Sequence, residues 1–486
     1  MTINLPLTRE VPPSRAAMAD LRVVDRNEPA CAMRRLESLL DRATLRPLAP
    51  AGAEVAAATG SVRGSRVSAF ACSPERGAGA LGPDGCRGIL AAIDRGVADG
   101  CPVVGIWHSA GARLQDGPAS LDAIGRVFAA MVAASGRVPQ ISLVLGPAAG
   151  GAAYGPALGD FVIMGPDGRA FVTGPEIVRA VTGEAVDALL LGGPDVHQQS
   201  SGVAHLVATS DDAAVSLTRD LVQLLASPGD LAPPHQLTSE PRLETVLPAS
   251  SRRAYSVYPV IDLVLDKECS AVEVHRRWAR NIVTTLGRLG GRTVGIVASN
   301  PLHRGGCLDA QSSEKAARFV RTCDAFGVPL VVLADVPGYL PGRAQEWDGV
   351  VRRGAKLLHA FAEAVVPRVT VVTRKAYGGA FIAMNSRSLG ATCVLAWPSA
   401  EIGVMSPSAA AGLLHRRRLA AVAAEDRPAL ADQLAAEYAR SSGGLRRAVE
   451  LGIVDVVIAP SETRREIAKV LATVSPRHGD HGNTPL

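Results

Sequence analysis

Two short glycine turns are the residues of this chain whose types and spacing best suit chemistry. Gly150-Gly151-Ala152 and Gly378-Gly379-Ala380 lie 228 residues apart (378 minus 150), and each follows Val-Pro and an apolar run rich in β-branched residues. Each run predicts a buried strand, and each glycine pair predicts a tight turn that enters a helix.

Backbone N–H groups at such a turn could stabilise developing negative charge. The first N–H groups of a helix lack intrahelical partners and carry a partial positive charge. Glycine lets a carbonyl oxygen approach them, which forms an oxyanion hole where one donor is typically worth about 3–4 kcal/mol. The alternative is that glycine merely permits a tight turn or close packing. Two copies after equivalent strands favour two anion sites and a reaction with two partners.

Other polar side chains offer weaker signals. His108-Ser109 could suggest a hydrolase, but the sequence has no G-x-S-x-G nucleophile elbow. Asp195, His197 and His205 could bind a metal, although loop histidines more often serve as hydrogen-bonded structure. We therefore expect no metal site in this chain.

Two basic clusters also have two interpretations each. Arg374-Lys375 could contact an anionic substrate or form a salt bridge at a strand end. Arg416-Arg417-Arg418 predicts a solvated helix face, with an anion or partner contact as the alternative.

The elements around the two turns repeat as well, which indicates duplicated domains. Residues 100–106 match residues 327–333, and polar turns follow at Gly111 and Gly338. In each half, continuous apolar strands alternate with helical segments, which predicts an α/β fold.

The boundaries of these elements follow from local signals. A proline-rich stretch at residues 227–250 indicates a linker, so we expect domains at 1–235 and 251–486 joined by 236–250. Ser312 or Ser313 is expected to be the N-cap of a helix. The tail after Ser475 is expected to fray.

Composition excludes several classes. The chain has 486 residues, a formal net charge of +5, 47% apolar and 20% charged residues, which suits two soluble domains without a nucleic-acid-binding stripe. Its eight cysteines include no C-x-x-C pair, so a thiolate zinc site is not expected. The sequence shows no signal peptide and no run of 18 apolar residues, and we expect a cytoplasmic protein.

Longer motifs in both halves resemble one family, the carboxyltransferase (β) subunits of biotin-dependent acyl-CoA carboxylases, nearest the propionyl-CoA type. The resemblance covers residues 32–475. Its motifs are Ser109-Ala-Gly-Ala-Arg-Leu-Gln-Asp-Gly117, Gly146-Pro-Ala-Ala-Gly-Gly-Ala-Ala-Tyr154, Ser201-Gly-Val-Ala-His205, Ser313-Glu-Lys-Ala-Ala-Arg-Phe319, Asp335-Val-Pro-Gly-Tyr-Leu-Pro-Gly342, Thr373-Arg-Lys-Ala-Tyr-Gly-Gly-Ala380 and Pro398-Ser-Ala-Glu-Ile-Gly-Val-Met405.

The resemblance implies a fold and a division of labour. The fold is two tandem crotonase-like domains of ββα spiral units, with acyl-CoA on the first and carboxybiotin on the second. Gly150 and Gly151 would stabilise the enolate of the acyl thioester, and Gly379 and Ala380 would bind the ureido oxygen of biotin. Further residues implied for acyl-CoA are Gly111, Ala112, Arg87, Ala152 and Tyr154, and those for the biotin and acyl pocket are Tyr377, Gly378, Phe381 and Ile382.

The resemblance also implies partners. The sequence has no Ala-Met-Lys-Met biotinylation site and no ATP-binding domain, so biotin should arrive on a separate biotin carboxylase or carrier subunit. The family forms hexamers whose sites lie between subunits. The biotin nitrogen would take the α-proton, which agrees with the lack of an obvious side-chain base.

The chain departs from the family pattern at several positions. Ala110 replaces a glycine, Gly88 replaces a lysine near the CoA phosphates, and Arg87 could compensate. The other departures are Gly155 for a serine, Ser406 for a glycine, Ser408 for a charged residue, and Ile382 where propionyl-type members carry aspartate. An apolar Ile382 predicts relaxed or shifted acyl specificity.

Two alternatives to an acyl-CoA carboxylase stay open at this point. One is the carboxyltransferase subunit of a biotin-dependent decarboxylase, in which a membrane partner would be expected. The other is a catalytically weak structural subunit of a carboxylase complex, which the departures would suit and the intact glycine pairs would not.

Overall fold

Two mixed β-sheets with helices packed on them form the molecule. In the computed structural model, residues 31–48 and 54–484 are described. Each sheet has eight strands and lies in one half of the chain, so the predicted α/β class is confirmed.

The strands pair in the same way in both halves. The first sheet has the order β1-β2-β3-β4-β5-β6-β8 with β7 paired to β5, and the second has β16-β14-β13-β12-β11-β10-β9 with β15 paired to β13. The strands are β1 Arg46–Pro47, β2 Val55–Val62, β3 Ser65–Cys72, β4 Val103–Ser109, β5 Gln140–Ala149, β6 Phe161–Met164, β7 Arg169–Phe171, β8 Leu206–Val207, β9 Val272–Val274, β10 Ile282–Leu289, β11 Arg292–Ser299, β12 Leu330–Val336, β13 Arg368–Tyr377, β14 Cys393–Ala396, β15 Glu401–Gly403 and β16 Val456–Val457.

The helices connect parallel strands and cover the sheets. They are α1 Cys31–Leu39, α2 Pro83–Asp99, α3 Pro118–Ala134, α4 Gly151–Leu158, α5 Pro175–Thr182, α6 Ala188–Gly192, α7 Pro194–Val196, α8 Asp211–Ala226, α9 Tyr258–Val264, α10 Ala310–Ala325, α11 Arg343–Trp347, α12 Val350–Glu363, α13 Gly378–Ala383, α14 Pro407–Leu414, α15 Arg416–Ala420, α16 Arg427–Ser442, α17 Gly444–Glu450 and α18 Thr463–Thr473. Among the described residues, no helix is long and apolar enough to cross a membrane.

The internal repeat is visible in the strand register. Each half begins its repeat with an antiparallel strand pair, which is β2 with β3 in the first half and β10 with β11 in the second. Parallel strands follow in both halves. β4 pairs in parallel with β5, and β12 pairs in parallel with β13. Each of the strands β5 and β13 ends at a glycine turn, so the two turns occupy equivalent places in the two sheets.

Buried apolar side chains join the two halves. One continuous cluster includes Val104 and Leu143 of the first sheet together with Ile282 and Val332 of the second. This shared core limits independent movement of the two halves, because separating them would expose apolar surface.

The residues expected to form a linker are packed on the second half. A 3-10 helix covers Pro241–Thr245, and its Leu243 is buried in a cluster with α9 and α18. The N–H of Glu240 donates to the carbonyl oxygen of Ser461 over 2.8 Å.

The expected N-cap of α10 is wrong. α10 is capped by Asp309, whose carboxylate accepts from the N–H of Ser312 over 2.8 Å while the Ser312 hydroxyl accepts from the N–H of Asp309. Ser312 and Ser313 therefore lie inside the helix. A carboxylate three residues earlier forms this reciprocal capping box, which places the N-cap at the aspartate.

The tail after Ser475 is anchored to the rest of the molecule, so the expectation that it frays is also wrong. Asn483 donates from its side-chain amide to Asp160 over 2.8 Å, and its own N–H donates to the Ser135 hydroxyl over 2.7 Å. His481 lies 3.0 Å from the Asp324 carboxylate. These contacts tie residues 479–484 to both halves, which local sequence alone could not reveal.

Candidate active site

The first glycine turn presents free backbone donors at the start of α4. Gly150 has φ of +58°, which favours glycine, and its N–H donates to the carbonyl oxygen of Phe171 over 3.1 Å. Gly151 and Ala152 are the first two residues of α4, where N–H groups have no intrahelical partner. Gly150 therefore shapes the turn, and the available donors are Gly151 and Ala152.

The second turn has the same construction. Gly378 has φ of +59°, and an added Cβ would lie 3.0 Å from the carbonyl oxygen of Val404. Gly379 is exposed, and a Cβ added there would meet nothing within 4 Å. Gly379 thus borders open space, and Gly379 and Ala380 occupy the positions that correspond to Gly151 and Ala152.

A loop after β4 lies beside the first turn. Gly111 has φ of +107°, and an added Cβ would be 3.0 Å from the carbonyl oxygen of Ala149. Its N–H donates to the Ser109 hydroxyl, and Ala112 forms a β-bridge with Leu81. A cavity of about 550 Å³ opens next to this loop, lined among others by Ala110, Ala112, Arg113 and Gln115. Of the expected residues, Gly111 therefore lies next to the turn and Ala112 lines the cavity.

The remaining residues expected on the acyl side differ in exposure. Ala152 is buried, while Tyr154 is half exposed and its ring packs edge-on against Phe128 at 6.4 Å. Arg87 lies on the outer face of α2, where its guanidinium pairs with Asp84 over 2.5 Å. Arg87 has no described contact with the glycine turn or its loop.

The residues expected around the second turn surround it closely. Tyr377 is buried, and its hydroxyl donates to the Glu401 carboxylate over 2.5 Å. Burial and this carboxylate raise the pKa of Tyr377, so the phenol stays protonated. Phe381 is buried, whereas Ile382 is 44% exposed and available to a ligand.

Arg374, next to the second turn, forms a buried ion pair. Its Nε donates to the Asp335 carboxylate over 2.9 Å, and its guanidinium lies 4.8 Å from the centre of the Tyr255 ring. Burial raises the pKa of Asp335 although Arg374 opposes the shift. The salt-bridge interpretation of Arg374 is confirmed. The sequence did not predict Asp335 as this partner; the available signal was a lone carboxylate inside the apolar strand β12.

The loop histidines serve the structure. His197 lies 2.7 Å from both the Ser201 hydroxyl and the carbonyl oxygen of Ala170. His205 accepts from the N–H of Val162 over 3.1 Å. Both agree with the hydrogen-bonded interpretation.

The family match extends over nearly all of this architecture. The carboxyl transferase domain model matches residues 35–478. The chain belongs to this carboxyl transferase family. The predicted family is therefore confirmed, together with the function of a carboxyltransferase of the acyl-CoA carboxylase type.

Curated relatives cover almost the same length. The chain is 54% identical over 432 residues to the biotin-dependent acetyl-/propionyl-coenzyme A carboxylase beta6 subunit of Mycobacterium tuberculosis, covering 89% of this chain and 91% of the relative. It is 52% identical over 463 residues to the propionyl-CoA carboxylase beta chain of Rhodococcus erythropolis, covering 94% and 97%.

A solved structure supports the same conclusion. The hexameric transcarboxylase 12S, solved with methylmalonyl-coenzyme A bound, matches with a TM-score of 0.86 and 38% identity over 94% of this chain and 92% of the other. This likeness confirms the predicted tandem crotonase-like fold.

Two departures from the carboxyl transferase pattern have packing reasons. A Cβ at Gly155 would lie 2.4 Å from the ring of Trp107, so the indole occupies the space of a larger residue. Gly88 packs against β2, where an added Cβ would be 3.3 Å from Val55. Neither glycine leaves room for the family side chain without movement of its neighbour.

The departures near the second turn lie at the start of α14. Ser406 is the N-cap, and its hydroxyl accepts from the N–H of Ala409 over 3.3 Å. It also lies 3.3 Å from the Ser408 hydroxyl. Replacement of glycine by a capping serine stabilises this helix start. Ala110 is exposed, and its N–H donates to the carbonyl oxygen of Ala78. The loop after β4 therefore forms with alanine at this position.

Proposed function

We propose that the chain moves the carboxyl group of carboxybiotin, carried by a separate subunit, to the α-carbon of an acyl-CoA. The observation that carries this proposal is the pair of equivalent helix starts with free N–H donors, one in each half. A reaction that develops negative charge on two different molecules needs two such sites.

On the acyl side, Gly151 and Ala152 would donate to the thioester oxygen as the enolate forms. Gly150 sets the turn that aims these donors, Gly111 lies against Ala149 at the end of β5, and Ala112 borders the cavity where the thioester would lie. Such donors act mainly on the transition state, because the charge on the oxygen grows as the α-proton leaves.

On the biotin side, Gly379 and Ala380 would donate to the ureido oxygen. The open space at Gly379 fits a flat ring that approaches the backbone, and Tyr377, Gly378 and Phe381 form the wall behind it. Carboxybiotin supplies the carboxyl group and, once this has left, the base for the α-proton. The chain itself orients the two partners and holds the charges.

The two carboxylates described beside the second turn are already engaged. Glu401 accepts from Tyr377, and Asp335 pairs with Arg374. A group engaged in a buried hydrogen bond or ion pair is poorly placed to accept a substrate proton.

Transfer between the two halves requires close approach of acyl-CoA and biotin. We propose a homohexamer in which the first turn of one subunit faces the second turn of another, by analogy with the hexameric transcarboxylase core. Exposed apolar residues in both halves, Leu121 and Tyr154 in the first and Trp347 and Val404 in the second, suit a subunit contact. We place this complex in the cytoplasm, where acyl-CoA and the biotin subunit would be present.

Turnover with a biotin-loaded carboxylase subunit, ATP, bicarbonate and acyl-CoA tests the proposal. We expect a malonyl-type product whose carboxyl carbon comes from labelled bicarbonate. A complex that assembles but carboxylates no acyl-CoA would favour the structural subunit, and transfer only from malonyl-type CoA to biotin would favour the decarboxylase.

Ile382 is proposed to set acyl specificity. The side chain is exposed beside the second turn, so an apolar acyl chain can contact it without meeting a charge. We expect wild-type protein to accept acetyl-, propionyl- and butyryl-CoA with kcat/KM values within about tenfold, and Ile382→Asp to lower the butyryl value most. Strict propionyl preference in the wild type would contradict this prediction.

A further inference from the structure

In each half, a buried arginine donates to the carbonyl oxygen of a glycine that lies eight to twelve residues beyond the glycine turn. In the first half, Arg318 donates from Nη2 to the carbonyl oxygen of Gly159 over 3.0 Å. Gly159 is the C-cap of α4, whose other end presents Gly151 and Ala152. A guanidinium at a helix C-terminus complements the partial negative charge of its carbonyl groups.

The second half contains the same contact. Arg368 donates from Nη2 to the carbonyl oxygen of Gly390 over 2.8 Å. Gly390 corresponds to Gly159, with an offset of 231 residues (390 minus 159) that agrees with the surrounding repeat. It ends the 3-10 helix Arg387–Leu389, which follows α13.

The two arginines come from different places in the repeat. Arg368 lies on β13 of its own half, where the first half has Gln140. Arg318 lies on α10 of the second half and reaches into the first half, where the position that corresponds to it is Ala91. The same carbonyl contact is thus made by unrelated positions, which is not explained by inheritance from the duplicated ancestor.

The surroundings of Arg318 fix its guanidinium. The side chain is 5% exposed, and its Nη1 donates to the carbonyl oxygen of Thr484 over 2.6 Å. Nη2 lies 3.8 Å from the Asp160 carboxylate, which follows Gly159 directly. Because α4 has only eight residues, this anchor lies about 12 Å along the helix axis from the donors at its start.

We propose that Arg318 is a positioning residue for the anion hole of the first half, and that the second half thereby holds the catalytic backbone of the first in place. This inference rests on the proposed function for its kinetic consequence. Arg318 acts through Gly159 and α4, and it donates no hydrogen bond to the glycine turn itself.

The test compares Arg318→Met, Arg318→Lys and Arg321→Met in the full chain assembled with its biotin subunit. Arg321 is on the same helix and donates to Gly482 of the tail, so its variant controls for loss of a tail contact. We expect R318M to lower kcat by about 10- to 100-fold with the KM for acyl-CoA nearly unchanged, since displacement of the donors by a fraction of an ångström affects the transition state most. R318K should recover part of kcat, and R321M should remain near wild type.

Hydrogen exchange of residues 155–158 gives a readout that does not depend on activity. We expect faster exchange there in R318M, with exchange in residues 381–384 unchanged, and the reverse pattern in R368M. Wild-type protein without carboxylation activity would contradict the proposed function, while the exchange pattern would still test positioning. Unchanged exchange in α4, or unchanged kcat despite faster exchange, would overturn this inference.

Discussion

At the residue scale, the two glycines of each turn have different tasks. Gly150 and Gly378 adopt positive φ and set the turn, whereas Gly151 and Gly379 lie at the helix start with ordinary backbone angles. Substitutions can therefore separate distortion of the turn from obstruction of its backbone N–H groups.

Gly379→Val should reduce activity without loss of stability. A Cβ at this position meets nothing within 4 Å, so the fold can accept it, but the side chain would cover the N–H groups that face the ligand. We expect kcat to fall by about 100-fold, comparable to removal of an oxyanion donor, with an unchanged melting temperature.

Gly378→Ala is the matched comparison. Its φ of +59° and the carbonyl oxygen of Val404 at 3.0 Å both oppose a side chain. The free energy of unfolding, measured by denaturant titration, should fall by about 1–2 kcal/mol. Equal stability of the two variants would show that the second turn is more adaptable than its geometry indicates.

At the element scale, the sequence predicts the strands that lead to the two glycine turns. It does not predict the long-range contacts that hold these turns in place. Apolar runs before each Gly-Gly pair predicted β5 and β13, because such continuous runs are typical of strands buried on both faces. The contacts of Arg318 and the tail join residues that are far apart in sequence, and no local propensity encodes them. The N-cap of α10 differs from the expectation because Asp309 and Ser312 form a reciprocal capping box, in which Ser312 is the third helical residue.

Asp309→Ala should destabilise α10. Asp309 is 1% exposed, accepts from the N–H of Ser312 and also pairs with Arg304. We expect the free energy of unfolding to fall by about 1–2 kcal/mol, which denaturant titration would measure. Asp309→Asn keeps the acceptor and should lose less, and an equal loss in both variants would assign the effect to the Arg304 pair.

At the scale of the whole molecule, the junction of the two halves contains two buried histidines in contact with each other. The rings of His205 and His275 are 4.2 Å apart, and Arg318 is nearby. Burial, with a smaller contribution from Arg318, lowers the pKa of His205 from 6.5 to about 3. An unfolded chain would therefore take up this proton before the native protein does.

Stability should accordingly decline in acid. As pH falls below 6.5, the unfolded state binds more protons than the native state, so the free energy of unfolding decreases until the native pKa is reached. His205→Asn retains an acceptor for Val162 and removes the titration. Its melting temperature should fall less than that of the wild type between about pH 7 and pH 5. Parallel declines would assign the acid sensitivity to His275 or other groups.

The contact from Arg318 to Gly159 has a consequence for protein engineering. A chimera that joins the first half of this chain to the second half of a relative would inherit the relative's α10, and with it a new anchor for α4. Acyl-CoA turnover could then change although every first-half residue is unaltered. A chimera made by exchanging halves in this family should therefore keep Arg318 and Gly159 from the same parent. The glycine turn of the first half is held by a residue of the second half, although all residues of that turn lie in the first half of the sequence.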